Sequence, residues 1–126
     1  MTTPKTETGH AAGFIISEAN GQRSRENVTL VGGVSLLAGQ VVSKLTSGSD
    51  SGLYTPFNQD GSDGSEDAAG VSINDVDENA TSTQEIAIIA RDAEVNADEL
   101  VWPSDITDNE KAAGVVELEA LGIQVR

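Results

Sequence analysis

The sequence predicts a mainly β fold with one C-terminal helix. From Val28 onward, short runs rich in Val, Ile and Leu alternate with loops of Gly, Ser, Asp and Asn, the pattern of strands and turns. The most apolar run, Ile86-Ala87-Ile88-Ile89-Ala90, is short and rich in β-branched residues, which favours a strand over a helix. One stretch, starting at Thr107, combines a helix start signal with an apolar side. No internal repeat is visible.

Met1–Gly13 is polar, lacks apolar periodicity and reads as a flexible tail. Phe14-Ile15-Ile16 is an isolated apolar triplet, followed by the polar Ser17–Glu26 with a turn at Asn20-Gly21. A triplet cannot make its own core, so it packs on the body or pairs with a partner, and both readings stay open. Val28–Val31 is a strand ended by Gly32-Gly33. Gln40–Leu45 and Leu53–Phe57 read as a strand pair joined by Thr46–Gly52. Residues 58–68 form a polar loop with turn signals at Asp60-Gly61 and Asp63-Gly64. Ala69–Ile73 is the next strand; the loop Asn74–Ser82 leads to another over Thr83–Arg91. Glu94-Val95 and Glu99–Trp102 are candidate continuations of that sheet.

Thr107-Asp108-Asn109-Glu110 is a capping box, with Asp105 and Asp108 placed where the helix dipole favours negative charge. Ala112, Val115, Val116, Leu118 and Leu121 supply the expected apolar side, and Gly122 the left-handed stop, with Ile123 closing on Leu118. Gly114 costs a helix about 1 kcal/mol against Ala, which implies close packing there. Ile123-Gln124-Val125 resumes an extended pattern.

A chain of 126 residues allows one domain, or one domain plus an arm, and buries roughly 65% of its unfolded surface. With aromatics at 3%, the core must come from Val, Ile, Leu and Ala. No cysteine is present, which excludes disulfides and thiolate metal sites. No apolar run approaches the ~20 residues that cross a bilayer. The polar first thirteen residues are not a signal peptide. A soluble protein folding in a reducing cytoplasm is expected.

The net charge of −14 repels phosphate backbones, so nucleic acid is not expected as a direct partner. Residues 1–45 set Lys5, Arg23, Arg25 and Lys44 against Glu7, Glu18 and Glu26, while nearly all the acidic excess lies in residues 46–126. The near-neutral N-terminal part is the better suited to lie against another surface.

No catalytic constellation emerges. His10, the lone histidine, sits in the tail, where nothing positions it as a base. One histidine and no cysteine argue against zinc and other N/S-ligated metals. Asn58–Asp67 lacks calcium-loop spacing, since the sixth position is Asp63 where glycine is needed; it and Asp75-Val76-Asp77-Glu78 read as solvated loops. Phe14, Tyr54, Phe57 and Trp102 are too few to line a sugar cleft for an acid pair. Gly32-Gly33 lacks the residues of a phosphate loop. Arg23 and Arg25 are placed to grip carboxylates of a partner or to decorate an exposed turn. The Asn-X-Thr matches at Asn27 and Asn79 carry no meaning without secretion.

Glu99-Leu100-Val101-Trp102-Pro103, the polar Ser104–Glu110 and a helix running to Gly122-Ile123-Gln124-Val125 resemble the C-terminus of the tailed-phage head decoration family, that of phage lambda and its relatives. Leu53–Phe57 with its Asp/Gly loop, then Ala69-Gly70-Val71-Ser72-Ile73, resemble the family's central hairpin and following strand. Phe14–Leu30, with Ser17-Glu18-Ala19-Asn20-Gly21 and Arg23-Ser24-Arg25, is similar to the N-terminal segment of its longer members. The Thr46–Ala68 region is longer and more acidic than in the short lambda-type member.

The resemblance implies a β-clip-like fold with a small α/β portion and an extended N-terminal arm. It implies a non-enzymatic cement protein, without cofactor or metal, whose partners are the major capsid protein and itself, as a homotrimer. Such a protein is made in the host cytoplasm and binds outside the expanded head at local threefold positions. There it bridges capsid subunits against the pressure of packaged DNA, without contacting nucleic acid or membrane. A capsid-binding arm over residues 1–30, using Phe14, Ile15, Ile16, Arg23 and Arg25, is expected to pair with a capsid strand. Residues 31–126 then form the β-rich domain, with a helix at about 108–121. Trp102, Pro103, Val115, Leu118 and Leu121 are assigned to the trimer contact or the core; Trp102 favours the core, and Pro103 is left open between cis and trans. The alternatives are a host-cell or glycan-binding β module on the virion, which predicts binding to cells or sugars, and an acid-based hydrolase, which needs two carboxylates in a pocket.

Overall fold

The computed structural model describes residues 13–19, 21, 23–76 and 82–126. His10, Asn20, Asp77, Glu78 and Asn79, singled out in the sequence, lie outside them. The strands are β1 (Ile15–Glu18), β2 (Arg25–Leu30), β3 (Val41–Lys44), β4 (Tyr54–Pro56), β5 (Gly70–Ser72), β6 (Gln84–Ile89), β7 (Ala93–Val95) and β8 (Ile123–Val125). A 3-10 turn spans Ala97–Glu99, and α1 (Asp108–Ala120) is the single α-helix among the described residues. The chain is thus mainly β with one C-terminal helix, as expected.

Five strands close a small barrel in the order β2-β4-β3-β5-β6, while β1, β7 and β8 form a second sheet in that order. The longest ladder pairs β2 with β6, antiparallel from Arg25 opposite Ile89 to Leu30 opposite Gln84. Closure is narrow: Leu30 meets Tyr54, and the Val31 N–H donates to the Tyr54 carbonyl at 2.9 Å. The expected pair of strands flanking Thr46–Gly52 is present as β3 and β4, antiparallel with Val42 opposite Pro56.

Alternation along the strands divides the core. Val42, Ile86, Ile88 and Leu30 fall in one buried cluster; Val41, Val71 and Ile89 fall in another, with Phe14, Val95, Leu118 and Ile123. The run Ile86–Ala90 is so apolar because β6 is covered on both faces.

Two expectations change. Glu94-Val95 and Glu99–Trp102 do not extend the sheet of β6. The chain leaves β6 through Asp92 in the left-handed region (φ 52°), which sends Ala93–Val95 into the second sheet. Asn96 caps the 3-10 turn that follows, and Val101 makes only an isolated bridge with Gln40. Nor are residues 14–30 an arm. Phe14 is 2% exposed, β1 pairs with β7, and β2 belongs to the barrel. Ser24 fastens this segment: fully buried, its hydroxyl accepts the Ala19 N–H at 2.9 Å and donates to the Asp92 carbonyl at 2.7 Å.

The capping box forms: Thr107 Oγ1 accepts the Glu110 N–H, and Glu110 Oε1 accepts the Thr107 N–H at 2.9 Å. The helix buries a narrower face than expected, with Gly114 and Leu118 buried and Val115 half-buried. Val116 is 64% exposed and Leu121 38%. Successive residues turn by about 100°, so Val116 points roughly 160° away from Leu118. Gly114 is explained by Trp102, whose ring atom Cζ3 would lie 2.6 Å from an added Cβ. Trp102 packs edge-on against Phe57, with ring centres 5.5 Å apart. Gly122 adopts φ 91° as the helix stop, and the Trp102–Pro103 bond is trans.

Candidate interaction site

β1 is the outer strand of the small sheet. Its inner side pairs with β7, but Ile15 faces Val95 and Ser17 faces Glu94, so Ile16 is the extra residue of a bulge. Phe14 turns into the core, Ile15 is half-buried against it, and Ile16 is 54% exposed. Among the described residues no strand covers the outer side of β1. An open strand edge offers unpaired backbone donors and acceptors, a ready template for another strand.

Around this edge the charges are internally compensated. Arg25 forks onto the Glu18 carboxylate at 2.7 and 2.9 Å, holding Glu18 below the usual carboxylate range. Arg126 reaches Glu94 at 2.6 Å, and Glu94 also accepts the Ser17 hydroxyl; both hold it low, Ser17 foremost. Arg23 lies 3.5 Å from Asp92, and Arg91 lies 3.4 Å from Glu26. These are the four ion pairs among the described residues.

The other notable surface lies where the 58–68 loop meets α1, in a cleft of about 250 Å³ floored by Phe57, Ala113 and Gly114. The loop ties its own polar groups together. Asn58 Oδ1 accepts the Asp60 N–H, and Asp63 accepts both the hydroxyl and the N–H of Ser65, which holds the Asp63 carboxyl low. Glu117 binds the loop to the helix by accepting the Ala68 N–H at 3.2 Å. Burial pushes the Glu117 carboxyl up, and the carboxylates of Asp67 and Glu66 add to this. Among the described residues, no group of three or more His, Cys, Asp or Glu is arranged to hold a metal ion.

The family model for the bacteriophage lambda head decoration protein D matches residues 4–123 of this chain. The chain belongs to the lambda head decoration protein family. No curated protein matches it. Membership makes it a structural protein of the phage virion, with a capsid decoration role and the capsid as its binding partner. No helix among the described residues is long and apolar enough to cross a membrane.

On this decoration protein the residues expected to grip a partner separate. Phe14 is core and Arg25 is committed to Glu18, which leaves Ile16 as the outward apolar group and Arg23 as the more exposed arginine. Of the residues assigned to trimer or core, Leu118 is core; Trp102, Pro103 and Val115 are half-buried, and Leu121 lies at the surface. Sequence reasoning missed Ser24, an unremarkable serine in a polar stretch. It also missed the cleft, which sets Glu66 of the loop beside Glu110 and Glu117 of α1, a meeting of distant segments beyond the reach of any spacing rule.

Proposed function

We propose that this decoration protein is a cement protein of the expanded head, bound outside the shell at local threefold positions as a homotrimer. It bridges neighbouring major capsid protein subunits and so resists the outward pressure of packaged DNA. The observation that carries this reading is the open edge of β1. It presents Ile16 and a row of backbone groups, beside charges already matched within the chain. A strand of the capsid protein added there gains a backbone ladder, with the bulge at Ile16 setting register. Residues 1–12, part of the expected capsid-binding arm, add to the contact. Three such contacts in one trimer multiply the effect of each. Its acidic charge keeps the protein off the packaged nucleic acid, and it carries no chemistry of its own.

A reconstruction of decorated expanded shells by electron microscopy tests the reading. Three-lobed density at local threefold positions, touching more than one capsid subunit, is expected. Single copies, or copies each seated on one subunit, would refute the bridging role.

A further inference from the structure

We propose that copies of this chain meet head to tail, with the Leu37 turn of one copy seated in a cavity beside β4 of the next. This rests on the trimer reading above and names its contact. Net charge limits where copies can meet, because two chains at −14 repel each other over most of their surface. Asn27–Ser43 is the longest stretch of the chain without Asp, Glu, Lys or Arg. Between β2 and β3 this stretch surfaces as residues 31–40, where Gly32, Gly33, Ser35 and Leu37 are exposed and Val31 and Val34 half-buried. The cores of protein interfaces are depleted of charge in the same way.

A lone exposed leucine is ordinary, but this one stands on a turn that is held in place. Leu37 is 53% exposed, and every backbone N–H from Leu36 to Gln40 is bonded. Leu36 donates to the Val76 carbonyl at 3.0 Å and Leu37 to Gln40 Oε1 at 2.9 Å. Ala38 donates to Asp75 Oδ1 at 2.6 Å, Gly39 to the Ser72 carbonyl at 2.8 Å, and Gln40 to the Leu37 carbonyl at 3.0 Å. Gly39 lets the turn lie close to its neighbour: at its φ of 90°, an added Cβ would lie 2.5 Å from the Glu99 carbonyl oxygen. A turn fixed beforehand loses little freedom on docking.

The receiving cavity follows from how narrowly the barrel closes. β2 meets β4 only at Leu30 and Tyr54, and the chain then leaves through Gly32-Gly33. Among the described residues, no strand lies beside Thr55 and Pro56 on that side. The cavity there, about 430 Å³, is lined by Val31, Val34, Thr55 and Pro56, with Asp50 and Asp63 among its polar residues. Pro56 has no N–H for a ladder, so the place suits an inserted side chain better than an added strand. Residues 31–40 carry no charge of their own to set against Asp50 and Asp63. Knob and cavity occupy different places on one chain, as a heterologous contact that closes into a ring requires. A contact with the capsid needs only one of them. The outward face of α1 is the weaker candidate: Val116 is 64% exposed, but Glu117 and Glu119 adjoin it, and a second copy brings the same carboxylates.

The test is cross-linking of the full chain on expanded shells, read on denaturing gels, with folding followed by thermal melts. The chain has no cysteine, so introduced thiols are the only ones it carries. With a short bis-maleimide, L37C/T55C should link into covalent trimers, while L37C and V116C alone should stay single chains. An amine cross-linker on wild type reports the trimer itself. L37E, which sets a charge on the knob, should bind shells about tenfold or more weakly, because each copy then binds without its neighbours. Should L37C/T55C fail to fold, L37E decides, since Leu37 is exposed. Wild type that links into trimers while L37C/T55C does not, or while L37E binds like wild type, would overturn this contact and leave the trimer standing. A link from V116C to another copy would overturn it in favour of α1, and one from L37C to the capsid protein in favour of the shell. Wild type that gives no trimers on shells would overturn both the contact and the trimer reading.

Discussion

At the scale of single residues, small groups hold large parts of this molecule in place. Gly114 lets the Trp102 ring lie against α1, and Trp102 in turn meets Phe57 edge-on. Gly114→Ala gains about 1 kcal/mol of helix propensity but drives a methyl into the ring, at a typical overpacking cost of 1–3 kcal/mol. The packing loss wins because Trp102 is held between the helix and Phe57. We predict a net destabilisation on the order of 1 kcal/mol, read as a lower urea midpoint by the fluorescence of this single tryptophan. An unchanged or higher midpoint would show that the ring moves aside freely. The sequence flagged Gly114 as out of place in a helix, so close packing was legible there. It did not flag Ser24, because nothing local distinguishes a buried, doubly bonded serine from a solvated one.

At the scale of elements, the strands flanking tight loops and the capped helix were legible, because turn residues and capping boxes act over a few positions. What the sequence obscured was set by long-range pairing. The resemblance assigned β1 and β2 to an arm and Ser17–Glu26 is polar, yet that polarity is satisfied internally by Arg25 on Glu18 and Ser24 on Asp92. β7 reads as a continuation of β6, yet the left-handed Asp92 sends it to another sheet. Truncation separates these cases. Removing residues 1–12 leaves Phe14 and β1 intact, so the melting temperature should stay close to wild type while shell binding weakens. Removing residues 1–20 also takes Phe14 from the core, a loss of about 3–5 kcal/mol by analogy with Phe→Ala, along with the β1–β7 ladder. Its melting temperature should collapse. Equal melting temperatures for the two truncations would contradict the place of β1 in the fold.

At the scale of the whole molecule, the account is of a protein that works by surface and number. A closed barrel leaves no free edges of its own, and the small sheet leaves β1 open beside compensated charges. Composition pointed to a partner-binding protein by removing the chemical alternatives, and the order of several weak motifs pointed to the family. The cleft could not be read, because the fold alone brings Gln59 and Glu66 against Glu110 and Glu117. The most direct test of decoration is co-sedimentation of the purified chain with expanded and unexpanded shells, with its free mass read by light scattering. Saturable binding to expanded shells, and none to unexpanded ones, is the predicted result. Failure to bind either would contradict the account.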